Sequence, residues 1–263
     1  MPDASPDPWT LVTAKRYADA AEAYSRLLAD GGGEIALRGR ATALLLAGRP
    51  AEALRDFRQV LDTSDSRYHC SGDFLDLGTC HWYLSRPTEA VAHWRAAQSA
   101  PYTDAAGGVE CPAFLMYAGV RLGDAAVEAE AVGLLRNHWR RHQRRVRRGR
   151  PRTARQAHED LVHPGLYAWP GAIVPFLLGK IDVGELDGAA VNTPSDVLRA
   201  RWQCQADFAA AVRAVREGDR DGFRSRMASS AASPYGELEN EFHLARWEVE
   251  NGFPTQPFAG GTI

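Results

Sequence analysis

The chain has 263 residues, of which 45% are apolar and 24% charged, and a net charge of −2. That balance excludes a disordered chain and, for the molecule as a whole, a general polyanion binder. The charge is unevenly placed, however: ten arginines and no acidic residue lie between Arg136 and Arg155, which leaves the remainder at −12.

The first residues, 1–8, are acidic and proline-rich, with neither a basic leader region nor an apolar stretch, so they read as a disordered tail and not as a signal peptide. No run reaches the ~18 apolar residues that a membrane span needs. A cytoplasmic address and no membrane partner are expected. Lysine occurs only at Lys15 and Lys180, and arginine-for-lysine usage with abundant alanine suggests a GC-rich bacterial genome.

Helix pairs then follow one another. Ala20, Tyr24 and Leu27 form the apolar stripe of a helix that follows a turn at Lys15. Between Glu34 and Thr63 the first helix carries Leu37, Ala41, Leu44 and Leu45, and Gly48 stops it. Pro50 opens the second helix, where a missing N–H costs nothing, and Ala53, Phe57 and Val60 line its inner face. The pattern returns 37 residues on, with Phe74, Leu77, Gly78 and His81, a turn at Ser85-Arg86, and then Ala90, Trp94 and Ala97. Pro112 to Leu122, a turn at Gly123-Asp124, and Ala125 to about Arg140 predict another pair. Trp202 to Glu217, Gly218-Asp219, and Arg220 to Ser230 predict the last, and Glu237 to Glu250 a closing helix. The tail 251–263 is rich in Gly, Pro and Thr and is expected to be loose.

The recurring elements Leu77-Gly78, Ala90, Trp94 and Ala97, with Ala53 and Phe57 one unit earlier, resemble the tetratricopeptide repeat (TPR) family. Arg40-Ala41 stands where that family has Leu-Gly in the earlier unit, and Asp65 stands where it has a closing proline. The segment Trp169 to Lys180, followed by Cys204-Gln205-Ala206-Asp207-Phe208, resembles a stretch of some bacterial TPR adaptors. The resemblance implies an all-α, right-handed α-solenoid: repeats over 9–135, an Arg-rich helix extension and insertion over 136–165, and TPR-like helices over 166–250 in one continuous superhelix.

In that family the first helix of each pair lines a concave face. Carried over by position, the groove would present Arg38, Thr42 and Leu45, then Leu75, Thr79, Trp82 and Tyr83, then Glu110, Tyr117 and Arg121. Large aromatics that are cheap to order suit a binding hot spot, and Arg38 and Arg121 suit a carboxylate clamp.

The arginine run admits three readings: a solvated insertion lying on acidic parts of the same chain, a contact for an acidic protein, or a nucleic-acid site. In the run Arg140, Arg141, Arg144, Arg145, Arg147 and Arg148, the sets Arg140/Arg144/Arg148 and Arg141/Arg145 stack like charges four apart, so a helix there should fray past about Arg145 unless an acidic surface quiets it, and end at Gly149-Arg150-Pro151. Trp139 is the sole aromatic in the run, which is few for base stacking.

His138 and His142 have helical zinc spacing but lie among repelling arginines, while Cys80 and His81 point apart on one helix. Cys70, Cys80, Cys111 and Cys204 show no framework spacing and read as free thiols. The loop 103–110 lacks the Lys-Ser/Thr of a phosphate loop. No nucleophile, base and orienter converge, so no catalysis, metal or cofactor is expected. The functional expectation is a scaffold or adaptor for another protein or peptide. One version is an immunity protein blocking a toxin domain, and the alternative class is RNA binding.

Overall fold

The computed structural model describes residues 6–64, 69–100, 109–149, 153 and 169–253. The predicted N-terminal tail up to residue 5, the loop 103–108, Arg150, Arg152 and Arg155, and the C-terminal tail from 254 lie outside the described residues.

Five turns read from the sequence close in the same way. Lys15, Gly48, Ser85, Gly123 and Gly218 have positive φ, from 55° to 84°. After each, the next amide donates to a carbonyl five residues back: Arg16 to Leu11, Arg49 to Leu44, Arg86 to His81, Asp124 to Gly119 and Asp219 to Ala214, all at 2.8–2.9 Å. This closure satisfies carbonyls that a helix end would otherwise leave unpaired. Pro50 and Pro87 then open the following helix, while Asp124 and Asp219 cap it by accepting backbone N–H bonds.

These signals delimit α1 (Pro8–Thr13), α2 (Tyr17–Ala29), α3 (Gly33–Leu46), α4 (Pro50–Thr63), α5 (Ser71–Tyr83), α6 (Pro87–Ala97), α7 (Cys111–Leu122) and α8 (Ala125–Arg148). They are followed by α9 (Ile173–Leu177), α10 (Val183–Ala190), α11 (Asp196–Arg216), α12 (Arg220–Ala231) and α13 (Asn240–Glu250). There is no β-strand among the described residues, and no helix among them is long and apolar enough to cross a membrane. The fold is all-α, built of helix pairs: α2 packs on α3, α3 on α4, α5 on α6, α7 on α8, and α11 on α12.

Packing explains the small-plus-aromatic motif. Ala53, Ala90 and Ala97 are buried and let the axes approach, while Phe57 and Trp94 fill the space alongside. Gly78 lies under the Trp94 indole, where a Cβ would collide with the ring, and the indole N–H reaches the Leu75 carbonyl at 3.4 Å.

Three boundaries differ from the sequence reading. Helix α8 does not fray at Arg145 but continues through the expected extension to Arg148. Leu135, His138 and His142 bury its inner side, and arginines in a last turn are favoured by the helix dipole, which offsets their mutual repulsion. Helix α11 starts at Asp196 instead of Trp202, because the Ser195 hydroxyl caps it by accepting from Leu198 N at 3.2 Å. The closing helix starts at Asn240, after a 3-10 turn over Gly236–Leu238.

Candidate functional site

The face expected to form a trough is the inner side of α5 and α7. Helix α13 packs on α5, and α11 packs on α7. Leu45, Leu75, Thr79, Trp82, Tyr117 and Arg121 are buried, while Arg38, Thr42, Tyr83 and Glu110 are half-buried. The expectation of an open, aromatic-lined trough is therefore corrected, since the chain fills this face with its own C-terminal helices. The physical reason is apolar area. Trp82 stacks on Trp94 at 5.5 Å, meets Tyr117 at 5.0 Å and meets Trp247 of α13 edge-on at 6.0 Å. Tyr117 also contacts Phe208 of α11 at 5.3 Å. Leaving any one of these rings in water would forgo roughly 1.5–3 kcal/mol.

The polar groups of the same face also bind α13. The Tyr117 hydroxyl donates to Glu248 Oε1 at 2.7 Å, and Arg121 Nε donates to the same oxygen at 2.6 Å. Thr79 Oγ1 donates to Asn240 Oδ1 at 2.6 Å, the Tyr83 hydroxyl to the His243 carbonyl at 2.8 Å, and Arg246 to the Leu46 carbonyl at 2.8 Å. Arg121 thus clamps a carboxylate as its residue type suggests, but an internal one. Burial raises the Glu248 carboxyl above its ordinary value even though Arg121 and Tyr117 pull it down. Arg38 likewise engages Glu34 at 2.8 Å and, on the other side, Asp73.

Glu248, Asn240 and His243 were invisible as binding residues, yet a signal was available. Asn240–Glu250 carries Phe242, Leu244, Ala245 and Trp247 on more than one side, and all four are buried. A helix apolar around much of its circumference belongs inside a protein.

What remains of the trough is a cavity of about 210 Å³, with Arg38, Thr42, Leu45, Asp76, Asn240 and His243 among its lining. Burial pushes the Asp76 carboxyl up to about 7 and the His243 imidazole down to about 4. The cavity is smaller than the ~300 Å³ at which small-molecule sites begin.

The arginine run forms a different surface. Arg136, Arg140, Arg144 and Arg147 are exposed and recur at the spacing of one helical stripe, about 16 Å long. Among the described residues none of these four pairs with a carboxylate. Arg141 is exposed, Arg145 and Arg148 are half-buried, and all three have interactions of their own. Trp139 is half-buried against the core with the Lys180 ammonium 4.8 Å from its ring centre.

His138 and His142 both sit on the buried side of α8, and Arg145 lies 3.2 Å from the His142 ring. His81 stacks on His93 at 5.1 Å. The four cysteines are free thiols, and burial raises each of them.

No family model matches the chain, and no curated protein matches it. Among solved structures, the chain is similar to the C-terminal part of a TPR repeat-containing protein from Cytophaga hutchinsonii. Identity is 14%, with 94% of this chain and 86% of that one covered, at a TM-score of 0.39. At that score the likeness carries no weight for fold or function, and the helix-pair description stands on the turns and packing above.

Proposed function

We propose that this protein is a non-catalytic, cytoplasmic helical scaffold that binds an acidic surface of another protein through the outer face of α8. The observation that carries the reading is the stripe Arg136, Arg140, Arg144 and Arg147, exposed on one helix and, among the described residues, without a carboxylate partner. Several arginines elsewhere in the chain are paired with carboxylates, as at Arg40–Asp56, Arg121–Glu248 and Arg226–Asp207. Guanidinium groups at one-turn intervals match carboxylates on a partner helix or strand, speed encounter and make binding salt-sensitive. The inner face of α5 and α7 contributes rigidity to this scaffold, with its hot-spot residues turned inward.

A protein partner is favoured over RNA because Trp139, the aromatic that base stacking would need, is held against the core and Lys180. An immunity role is the special case in which the acidic partner is a toxin domain.

The test compares wild type with Arg140→Glu/Arg144→Glu in binding to a poly-glutamate peptide and to generic single-stranded RNA across a salt series. The expected result is peptide binding that weakens with salt and drops at least about tenfold in the variant, about 1.4 kcal/mol. Tighter binding to RNA, lost in the same variant, would replace the reading with nucleic-acid recognition. Binding unchanged by charge reversal would remove it.

A further inference from the structure

Three carboxylates from two distant parts of the chain meet between the start of α7 and the start of α13. Glu110 immediately precedes α7, Glu239 immediately precedes α13, and Glu241 lies in the first turn of α13. Each offers a carboxylate oxygen, and the three oxygens lie within 4.8 Å of one another. Glu239 and Glu241 are buried, at 7% and 1% exposure.

Glu110 and Glu239 have hydrogen-bonding partners. Gln205 Nε2 donates to Glu110 Oε1 at 3.2 Å and to Glu239 Oε2 at 2.9 Å, and Arg201 pairs with Glu239. Gln205 is itself fixed by the Trp169 indole N–H, which donates to its Oε1 at 2.6 Å. Glu241 is the exception: its Oε2 is fully buried and makes no hydrogen bond. An unmet carboxylate oxygen inside a protein costs about 1–3 kcal/mol or more, a cost that either a proton or a bound cation relieves.

We propose that Glu110, Glu239 and Glu241 bind a hard divalent cation, with calcium the best fit. All donors are oxygens, without the thiolate or imidazole that zinc and copper prefer. Three buried or half-buried carboxylates whose oxygens lie within 4.8 Å of one another suit calcium, which takes a shell of protein oxygens, better than magnesium, which keeps several waters and binds through one or two carboxylates. Gln205 and Arg201, one helical turn apart on α11, orient the ligating carboxylates from outside, as supporting groups do in built metal sites. The ion would join the start of α7 to the start of α13 and so fasten the helix that fills the trough. This site is independent of the arginine face.

The test uses the full-length protein after chelator treatment, melted in CaCl2, MgCl2 or MnCl2 against NaCl of equal ionic strength, with Tb3+ luminescence excited through tryptophan as a second readout. Millimolar calcium should raise Tm by several degrees. Terbium should show sensitised emission that calcium displaces. Glu241→Gln and Glu110→Gln should each weaken calcium binding at least tenfold with unchanged far-UV circular dichroism. Should Glu241→Gln fail to fold, the half-buried Glu110→Gln decides. No ion-specific rise in Tm, or an equal rise in wild type and Glu110→Gln, would overturn the site.

Discussion

Ser85 holds a left-handed backbone conformation, φ 55°, at a turn where Gly48, Gly123 and Gly218 serve elsewhere in the chain. A Cβ in that conformation costs about 1–2 kcal/mol. The variant Ser85→Gly should therefore be more stable than wild type by about 0.5–1 kcal/mol, after the greater unfolded-state freedom of glycine is subtracted, as read by urea denaturation. The histidine at the other end of the same turn gives a pH signature. His81 is buried beside His93 and Arg58, and burial first, then those neighbours, push its pKa down to about 4. Its charged form is disfavoured in the fold, so its contribution is complete above about 6.5 and is lost as pH falls from there toward 4. Asp76 acts in the opposite sense: raised to about 7, it withdraws stability as pH climbs from its ordinary range through neutrality. Thermal melts should show His81→Gln losing part of the acid-side decline. Asp76→Asn should gain over wild type at pH 8 and little at pH 5; equal gains at both would refute the assignment.

At the scale of elements, the turn residues and the alternation of small and aromatic positions were enough to locate most helix pairs, because both are local. A positive-φ residue followed by proline or aspartate states a helix end and a helix start within three residues. Helix termini set by a single hydroxyl, as at Ser195, and a helix end stabilised by its dipole, as at Arg148, were misjudged. Those depend on competition between small terms. The face opposite the repeats could not be read at all, because Trp82, Tyr117 and Arg121 have the residue types of a binding groove whatever fills it. The element they bind is α13, and the pivotal contact is Glu248, fully buried under Arg121 and Tyr117. Replacing Arg121 with Ala strands that carboxylate and should destabilise by about 3–5 kcal/mol. Removing both charges, as Arg121→Met/Glu248→Leu, should recover most of the loss. A double-mutant cycle measures this, and purely additive losses would show that the two side chains do not act as a pair.

At the scale of the molecule, an ordinary solenoid is one-dimensional, with each repeat touching only its neighbours. Here Cys204 of α11 and Phe242 of α13 enter the same apolar cluster as Leu11, Ala20, Leu44 and Phe57 from the first helices, which ties the two ends together. That closure turns a would-be binding trough into core, and the proposed partner contact is then the arginine stripe of α8. It also predicts one cooperative unit where an open stack would unravel repeat by repeat. Native-state hydrogen exchange of the full chain, followed by mass spectrometry, tests this most directly. The amides of Asn240–Glu250 should exchange with the same protection and the same urea dependence as those of Ser71–Tyr83 and Cys111–Leu122. Exchange of Asn240–Glu250 within seconds, while the other two helices stay protected, would contradict the closure and restore an open trough.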